Sequence, residues 1–326
     1  MVDPVSEFTP KSYACFKEGY TFTKWRTDLV AGITVGVIAL PLAMAFAIAS
    51  GLTPEQGLFT AIVAGFLISL LGGSRFQIGG PTGAFVVIVY AIVQKTGYAG
   101  LAISTLIAGL LLILGGLFRL GSWIKFIPYP LVTGFTTGIA LIIASSQVKE
   151  FFGLDVRHVP APFAQKWGVL LKAMPTFDPT TVCIGFGALA FILVVRRYTP
   201  KIPWGIAAIF VTTLVCQLFD LNVDTVASRF GQIPHFLPTP HWPSFAIVKT
   251  HGRDILWDAF AIAFLGGIES LLSCVIADGM TGRRHKSNCE LVGQGIANIA
   301  SVLFGGLPAT GAIARTAANI KSGAVT

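Results

Sequence analysis

Seven stretches of this chain, residues 28–49, 54–73, 99–118, 129–148, 179–195, 203–219 and 254–276, are apolar and almost free of charge. A helix needs about 20 mostly apolar residues to cross a bilayer, and each stretch reaches or approaches that length. Backbone polar groups in lipid must be paired internally, so only helical bundles and closed β-barrels remain. Barrel strands alternate apolar with polar residues over about 10 positions. The run LIAGLLLILGGLF at 106–118 does not alternate. The chain is therefore read as an all-α integral membrane protein, a multi-pass helical bundle. Composition agrees: charged residues make up 12%, against about 25% in an average soluble domain. So little charge cannot hydrate the surface of a soluble chain, and lipid must cover much of it.

Several function classes are disfavoured. Cys15, Cys183, Cys216, Cys274 and Cys289 show no metal-binding or redox spacing, and buried packing is the plainer role. His158, His235, His241, His251 and His285 lie between apolar runs, in no catalytic order with a nucleophile. No phosphate-binding GxxxxGK[ST] is present. The sequence thus predicts no enzyme, no cofactor, no metal and no nucleic-acid partner. The polar start, with Lys11, Lys17, Lys24 and Arg26 before the first apolar run, is unlike a signal peptide.

Sidedness follows from basic residues. With the N-terminus inside, thirteen Lys and Arg fall in inside segments and eight outside. The inside set holds the first four with Arg75, Arg119, Lys125, Arg196, Arg197, Lys201, Arg283, Arg284 and Lys286. The outside set is Lys95, Lys149, Arg157, Lys166, Lys172, Arg229, Lys249 and Arg253. The bias predicts a cytoplasmic N-terminus in the plasma (inner) membrane. The net charge of +8 has a second reading, a field that favours anions.

Two segments break the pattern. Gly79-Gly80-Pro81-Thr82-Gly83-Ala84 opens an apolar run over 81–93 that is too short to span. Gly305-Gly306-Leu307-Pro308-Ala309-Thr310-Gly311-Ala312-Ile313 has the same character. Both contain Thr-Gly-Ala followed by a large apolar residue. Asp28, read as opening the first long helix, precedes Thr82 by 54 residues; Asp254, read likewise, precedes Thr310 by 56. This is an internal repeat. Seven crossings separate the two starts, an odd number, so the copies are inverted. Inverted repeats with short, Gly/Pro-broken segments at matching positions point to a transporter binding site.

The chemistry follows from half-helices that begin inside the membrane. Their first N–H groups lack intrahelical acceptors, and the helix dipole adds partial positive charge there. Two such ends, one at Thr82, Gly83, Ala84 and Phe85 and one at Thr310, Gly311 and Ala312, form a cradle for a small anionic substrate. Arg315 lies four residues after Gly311, on the same helical face, and is read as strengthening the field, with snorkelling to an interface as the alternative. Glu269 is a carboxylate within an apolar run, a functional residue by default at membrane depth. A nearby anion favours its protonated form, so Glu269 is assigned the coupled proton, with a structural pair to Arg315 or a Na+ ligand as alternatives. Pro41 is read as interrupting the first long helix, either exposing backbone and Phe46 to the cradle or, equally on spacing alone, making a plain packing kink.

These residues resemble the SulP family of anion transporters, the group that includes prestin and pendrin. The resemblance runs from about residue 20 to the end. It rests on Asp28 to Gly36, Pro41 with Met44 to Ala47, Gly79 to Gly83, Gly266 to Ser270, Gly305-Gly306 and Thr310 to Arg315. Gly72 to Phe76, Asp278 to Gly282 and Glu290 to Gly295 are most similar to the bacterial dicarboxylic-acid carriers. The resemblance implies proton-coupled symport of succinate, fumarate or aspartate, with sulfate or bicarbonate as the alternative. It implies that Phe46, Thr82, Glu269 and Arg315 match family site positions, and that the full-length form is a homodimer. Leu42 departs from the glutamine many relatives carry there. The family has fourteen membrane segments in two inverted sevens, then a STAS domain; this chain holds about ten. The expected layout is a cytoplasmic segment over 1–27, a first repeat over 28–253 and the start of a second over 254–326. An anion channel and a non-transporting membrane sensor or scaffold are the rivals from other classes.

Overall fold

The computed structural model describes residues 7–126, 129–156, 159–160, 163–198, 204–221, 223–225, 228 and 238–326. Arg157, His158, Lys201, Arg229 and His235 lie outside them. The helices in chain order are α1 (Lys11–Lys17), α2 (Phe22–Ala49), α3 (Pro54–Leu71), α4 (Phe85–Leu117), α5 (Tyr129–Phe152), α6 (Phe163–Ala173), α7 (Pro179–Tyr198), α8 (Trp204–Leu218), α9 (Val248–Thr281), α10 (Ser287–Leu303) and α11 (Ile313–Lys321). Two short strands, β1 (Gly79–Gly80) and β2 (Thr310–Gly311), and three 3-10 turns over Leu120–Phe126, Met174–Thr176 and Phe245–Ile247 complete the described elements. Helix forms at all seven apolar windows. Among the described residues, Phe22–Ala49, Pro54–Leu71, Phe85–Leu117, Pro179–Tyr198 and Phe245–Thr281 are long and apolar enough to cross a membrane.

The chain separates into two compact units, residues 1–134 with 234–326, and residues 135–233. In the first, α4 packs along α9 and α10, α3 along α2 and α10, and α11 against α9 and α2. Its apolar core is built from Phe85, Val89, Leu101 and Leu112 of α4, Ala259 and Ile262 of α9, and Leu291 of α10. Small residues bring α4 and α10 together: a Cβ on Gly295 would lie 2.4 Å from the Gly109 carbonyl oxygen. Such backbone approach is how helices associate in lipid, where apolar side chains gain little by leaving the solvent. The outer face of α9 shows the complement, with Leu256, Trp257, Phe260 and Phe264 all exposed. In the second unit, Asp178 caps α7 by accepting the Thr181 N–H at 2.9 Å, and Phe151 meets Phe186 edge to face at 5.1 Å between centroids.

Three expectations need correction. Pro41 does not interrupt the first helix, because α2 continues through it to Ala49. Asp28 does not open its helix, because α2 starts at Phe22, six residues earlier; α9 starts at Val248 but is broken at His251, with φ −126° and ψ 22°, so Asp254 stands in the first turn of the helix that follows, as expected. The short run 81–93 and the window 99–118 belong to one element, α4, divided by a break at Gly97 with φ 65° and ψ −173°. That positive φ is readily reached only without a Cβ, so Gly97 ends the first half-helix while the chain goes on in the same element.

Several residues assigned to the same side are neighbours in the fold. Of the residues assigned inside, Lys11 and Lys286 donate their N–H groups to adjacent carbonyls, Gly72 at 3.1 Å and Gly73 at 2.9 Å. Arg75 follows two residues later and pairs with Glu18. Lys95, assigned to the opposite side, pairs with Asp254 at 2.8 Å.

Candidate anion-binding site

The two interrupted segments meet. β1 and β2 pair antiparallel, Gly79 opposite Gly311 and Gly80 opposite Thr310, and the Ala312 N–H donates to the Ile78 carbonyl at 2.9 Å. Irregular backbone at membrane depth is tolerated only where protein satisfies it, and here side chains do so. Thr60 of α3 accepts the Leu307 N–H at 2.7 Å. From α10, Asn298 accepts the Ala309 N–H at 2.8 Å and donates to the Ala309 carbonyl at 2.9 Å. Gln294 donates to the same carbonyl at 3.1 Å. Thr316 accepts the Ile78 N–H at 3.1 Å, and Asn319 donates to the Phe76 carbonyl at 3.1 Å.

The pairing aims two helix N-termini into the same unit. At the start of α4, Phe85 N–H bonds the Thr82 carbonyl at 3.2 Å and Val86 N–H the Gly83 carbonyl at 3.3 Å. Among the described residues the N–H groups of Gly83 and Ala84 make no backbone bond. At the start of α11, Thr316 N–H bonds the Ala312 carbonyl at 2.8 Å, which leaves the N–H groups of Ile313, Ala314 and Arg315 without intrahelical acceptors. These three donors sit three residues after Thr310, Gly311 and Ala312, where the sequence placed them. The Ala312 N–H belongs to the sheet.

The side chains gather around those ends. Glu269 is buried at 2% exposure and accepts the Thr82 hydroxyl at 3.0 Å. Thr310 donates its hydroxyl to the Gly266 carbonyl at 2.8 Å, one turn before Glu269. Arg315, 4% exposed, donates to the Pro81 carbonyl. Among the described residues no ion pair joins Glu269 to Arg315, although each charge acts on the other through space. Phe85 is buried with its ring against Gly266, where an added Cβ would lie 3.2 Å away. Gly311 is tight: a Cβ there would come within 2.0 Å of Gln77 Nε2 and 3.1 Å of Ser270 Cα. Phe46 is buried on α2, the helix that packs on α11, but no hydrogen bond or ring contact ties it to the other site residues among those described.

One residue was legible only as part of a motif. Glu290 is fully buried and accepts four hydrogen bonds. Oε2 takes the N–H groups of Gly73 at 2.8 Å and Ser74 at 3.3 Å. Oε1 takes Gln77 Nε2 at 3.0 Å and the Ser270 hydroxyl at 3.1 Å. Gln77 also donates to Ser270 at 2.7 Å and accepts from Cys274. Four donors suit a carboxylate, which is acceptor-only when ionised. A signal for this floor existed: Glu290, Gln294 and Asn298 recur every four residues, a polar stripe along one face of α10.

The site so built offers two converging helix N-termini, one guanidinium and one buried carboxyl. Residues 25–326 match the family described as the sulfate permease family. The chain is 46% identical over 309 residues to YvdB of Bacillus subtilis, a protein named for sulfate transport, covering 94% of this chain and 58% of that one. It is 34% identical over 317 residues to the bicarbonate transporter BicA of Picosynechococcus sp., covering 93% and 54%. The chain thus spans somewhat more than half the length of these curated relatives. The solved transmembrane domain of a cyanobacterial bicarbonate transporter BicA superposes with a TM-score of 0.76 at 33% identity, over 94% of this chain and 79% of that one.

Proposed function

The chain belongs to the sulfate permease family, and from that premise we propose that it binds a small anion between the N-termini of α4 and α11 and carries it across the membrane by alternating access. The observation that carries this reading is the convergence of those two ends beside Arg315. An anion is stabilised by unpaired N–H groups and the dipoles behind them, and Arg315 adds a full positive charge at the Pro81 carbonyl. Glu269, held by Thr82 on the same segment, takes the coupled proton. When Glu269 is neutral, an anion nearby meets no opposing charge. Binding of anion and proton then favour each other, which is symport. Na+ is the alternative coupling ion.

Sulfate and bicarbonate, which name the relatives, and four-carbon dicarboxylates compete as substrates. The motifs at Gly72 to Phe76 and Glu290 to Gly295 favour the dicarboxylates, and so does the apolar Leu42 on α2. The test is uptake of labelled sulfate, bicarbonate and succinate into proteoliposomes, under an inward proton gradient and separately under a Na+ gradient. Gradient-driven accumulation of one anion supports the carrier and identifies the substrate. Currents far above carrier turnover indicate a channel, and no movement of any anion by folded protein overturns the proposal.

A further inference from the structure

Four cations from three separate elements converge at one end of the first unit. The segment leading through α1 lies across this end. Lys11 N–H bonds the Gly72 carbonyl, and Ser12 donates to the Leu70 carbonyl at 2.5 Å. From the turn between α9 and α10, Lys286 N–H bonds the neighbouring Gly73 carbonyl, and its Nζ reaches the Thr9 carbonyl at 3.0 Å. Arg75 stands between the two and pairs with Glu18. Arg283, exposed, is near enough to act on both Glu18 and Cys15. Glu18 is a carboxylate that Arg75, Arg283 and Lys11 share.

The cations of the cluster act on one another at Lys11. Burial first, then the charges of Lys286 and Arg75, hold the Lys11 ammonium below its ordinary value. Like charges at short range are relieved by an anionic group among them. The neighbouring surface says which kind. Tyr13 and Phe16 of α1 are exposed, as are Phe22 and Trp25 at the start of α2, and exposed Leu29, Val30 and Ile33 continue the strip along that membrane helix. Aromatic side chains at the end of a spanning helix sit at the level of lipid headgroups, and juxtamembrane basic clusters attract anionic lipid.

We propose that Lys11, Arg75, Arg283 and Lys286 form a headgroup site for an anionic phospholipid, whose acyl chains lie along the exposed strip of α2. The phosphate bridges the strap at α1 to the turn between α9 and α10, on either side of the loop over 72–75 that leads into β1.

The test is the preference of the reconstituted protein for spin-labelled phosphatidylglycerol over spin-labelled phosphatidylcholine, read from the immobilised spectral component. The K11Q/R283Q/K286Q variant should lose about fivefold of that preference for each cation removed. An R196Q/R197Q/K172Q variant, with the same change in net charge elsewhere, should keep it. Equal unfolding midpoints in phosphatidylcholine vesicles establish that the first variant folds; if it does not, K286Q alone, scored against K172Q, carries the comparison. Equal loss in both variants, or in neither, overturns the site. So does inorganic phosphate that displaces the labelled lipid and stabilises the protein as well as phosphatidylglycerol does, because the occupant is then a soluble anion.

Discussion

Thr82 and Glu269, 187 residues apart in sequence, are joined by a hydrogen bond of 3.0 Å from the Thr82 hydroxyl to Glu269 Oε2. The bond ties the start of one interrupted helix to the carboxyl assigned the coupled proton. A change in protonation at Glu269 is therefore felt at the start of α4, one side of the proposed cradle. Glu269→Gln should remove the proton-driven part of uptake and keep anion exchange. With the external proton entering alongside the anion, as proposed, native uptake should rise as the external pH falls, and the variant's should be flat. A variant whose pH profile matches the native one would exclude Glu269 as the coupling group.

Arg315 is predicted to act on affinity. Arg315→Gln removes a full charge from the end of α11, and a charge-assisted hydrogen bond contributes about 1.5–3 kcal/mol. Half-saturation for the transported anion should rise roughly 10- to 100-fold. Arg315→Lys should restore part of this, because Lys keeps the charge but lacks the planar fork. Concentration dependence of uptake in the three proteins measures it.

Glu290 should matter for stability before transport. Glu290→Ala leaves the Gly73 and Ser74 N–H groups, Gln77 and Ser270 without their acceptor. Each buried donor left unpaired costs about 1–3 kcal/mol. Thermal unfolding should shift down by many degrees, and Glu290→Gln should recover little, since its NH2 would face other donors. An unchanged midpoint for Glu290→Ala would mean that water replaces the carboxylate.

Gly311→Val should abolish uptake with far less effect than Glu290→Ala on whether the protein inserts and purifies. The added side chain must occupy the space of Gln77 Nε2 and approach Ser270 Cα, which pushes β2 from β1 and displaces the N-terminus of α11. Gly311→Ala should show a smaller loss. Equal activity in all three proteins would show that β1–β2 pairing does not set the site.

Acid should loosen the segment that carries α1. The Arg75 guanidinium beside Glu18 holds its carboxyl below the ordinary carboxylate range. A lowered value in the folded protein means the contact is present above the unfolded carboxyl's pKa and fades as pH falls through the folded one. Hydrogen exchange at the Lys11 amide, bonded to Gly72, should therefore quicken at acid pH once intrinsic exchange is accounted for. In Glu18→Gln it should be faster at neutral pH and lose that pH dependence.

The sequence by itself determined the membrane helices, because lipid enforces long uncharged runs and internal backbone pairing, and those constraints are local. It also marked both interrupted segments, since Gly79 to Ala84 and Gly305 to Gly311 break helix wherever they stand. What only the tertiary structure decided is which groups remain available once the segments meet. The Ala312 N–H is taken by Ile78, so the donors of α11 fall at 313–315. Pro41 is absorbed within α2, because losing one hydrogen bond does not end a helix that packing supports. Glu290 reads locally as one acid near the start of α10, and its role appears only when the loop over 73–74 and the side chains of Gln77 and Ser270 are folded onto it. Hydrogen bonds between residues some two hundred positions apart leave no periodic trace in a single chain, and that is why the site's floor had to be seen in three dimensions.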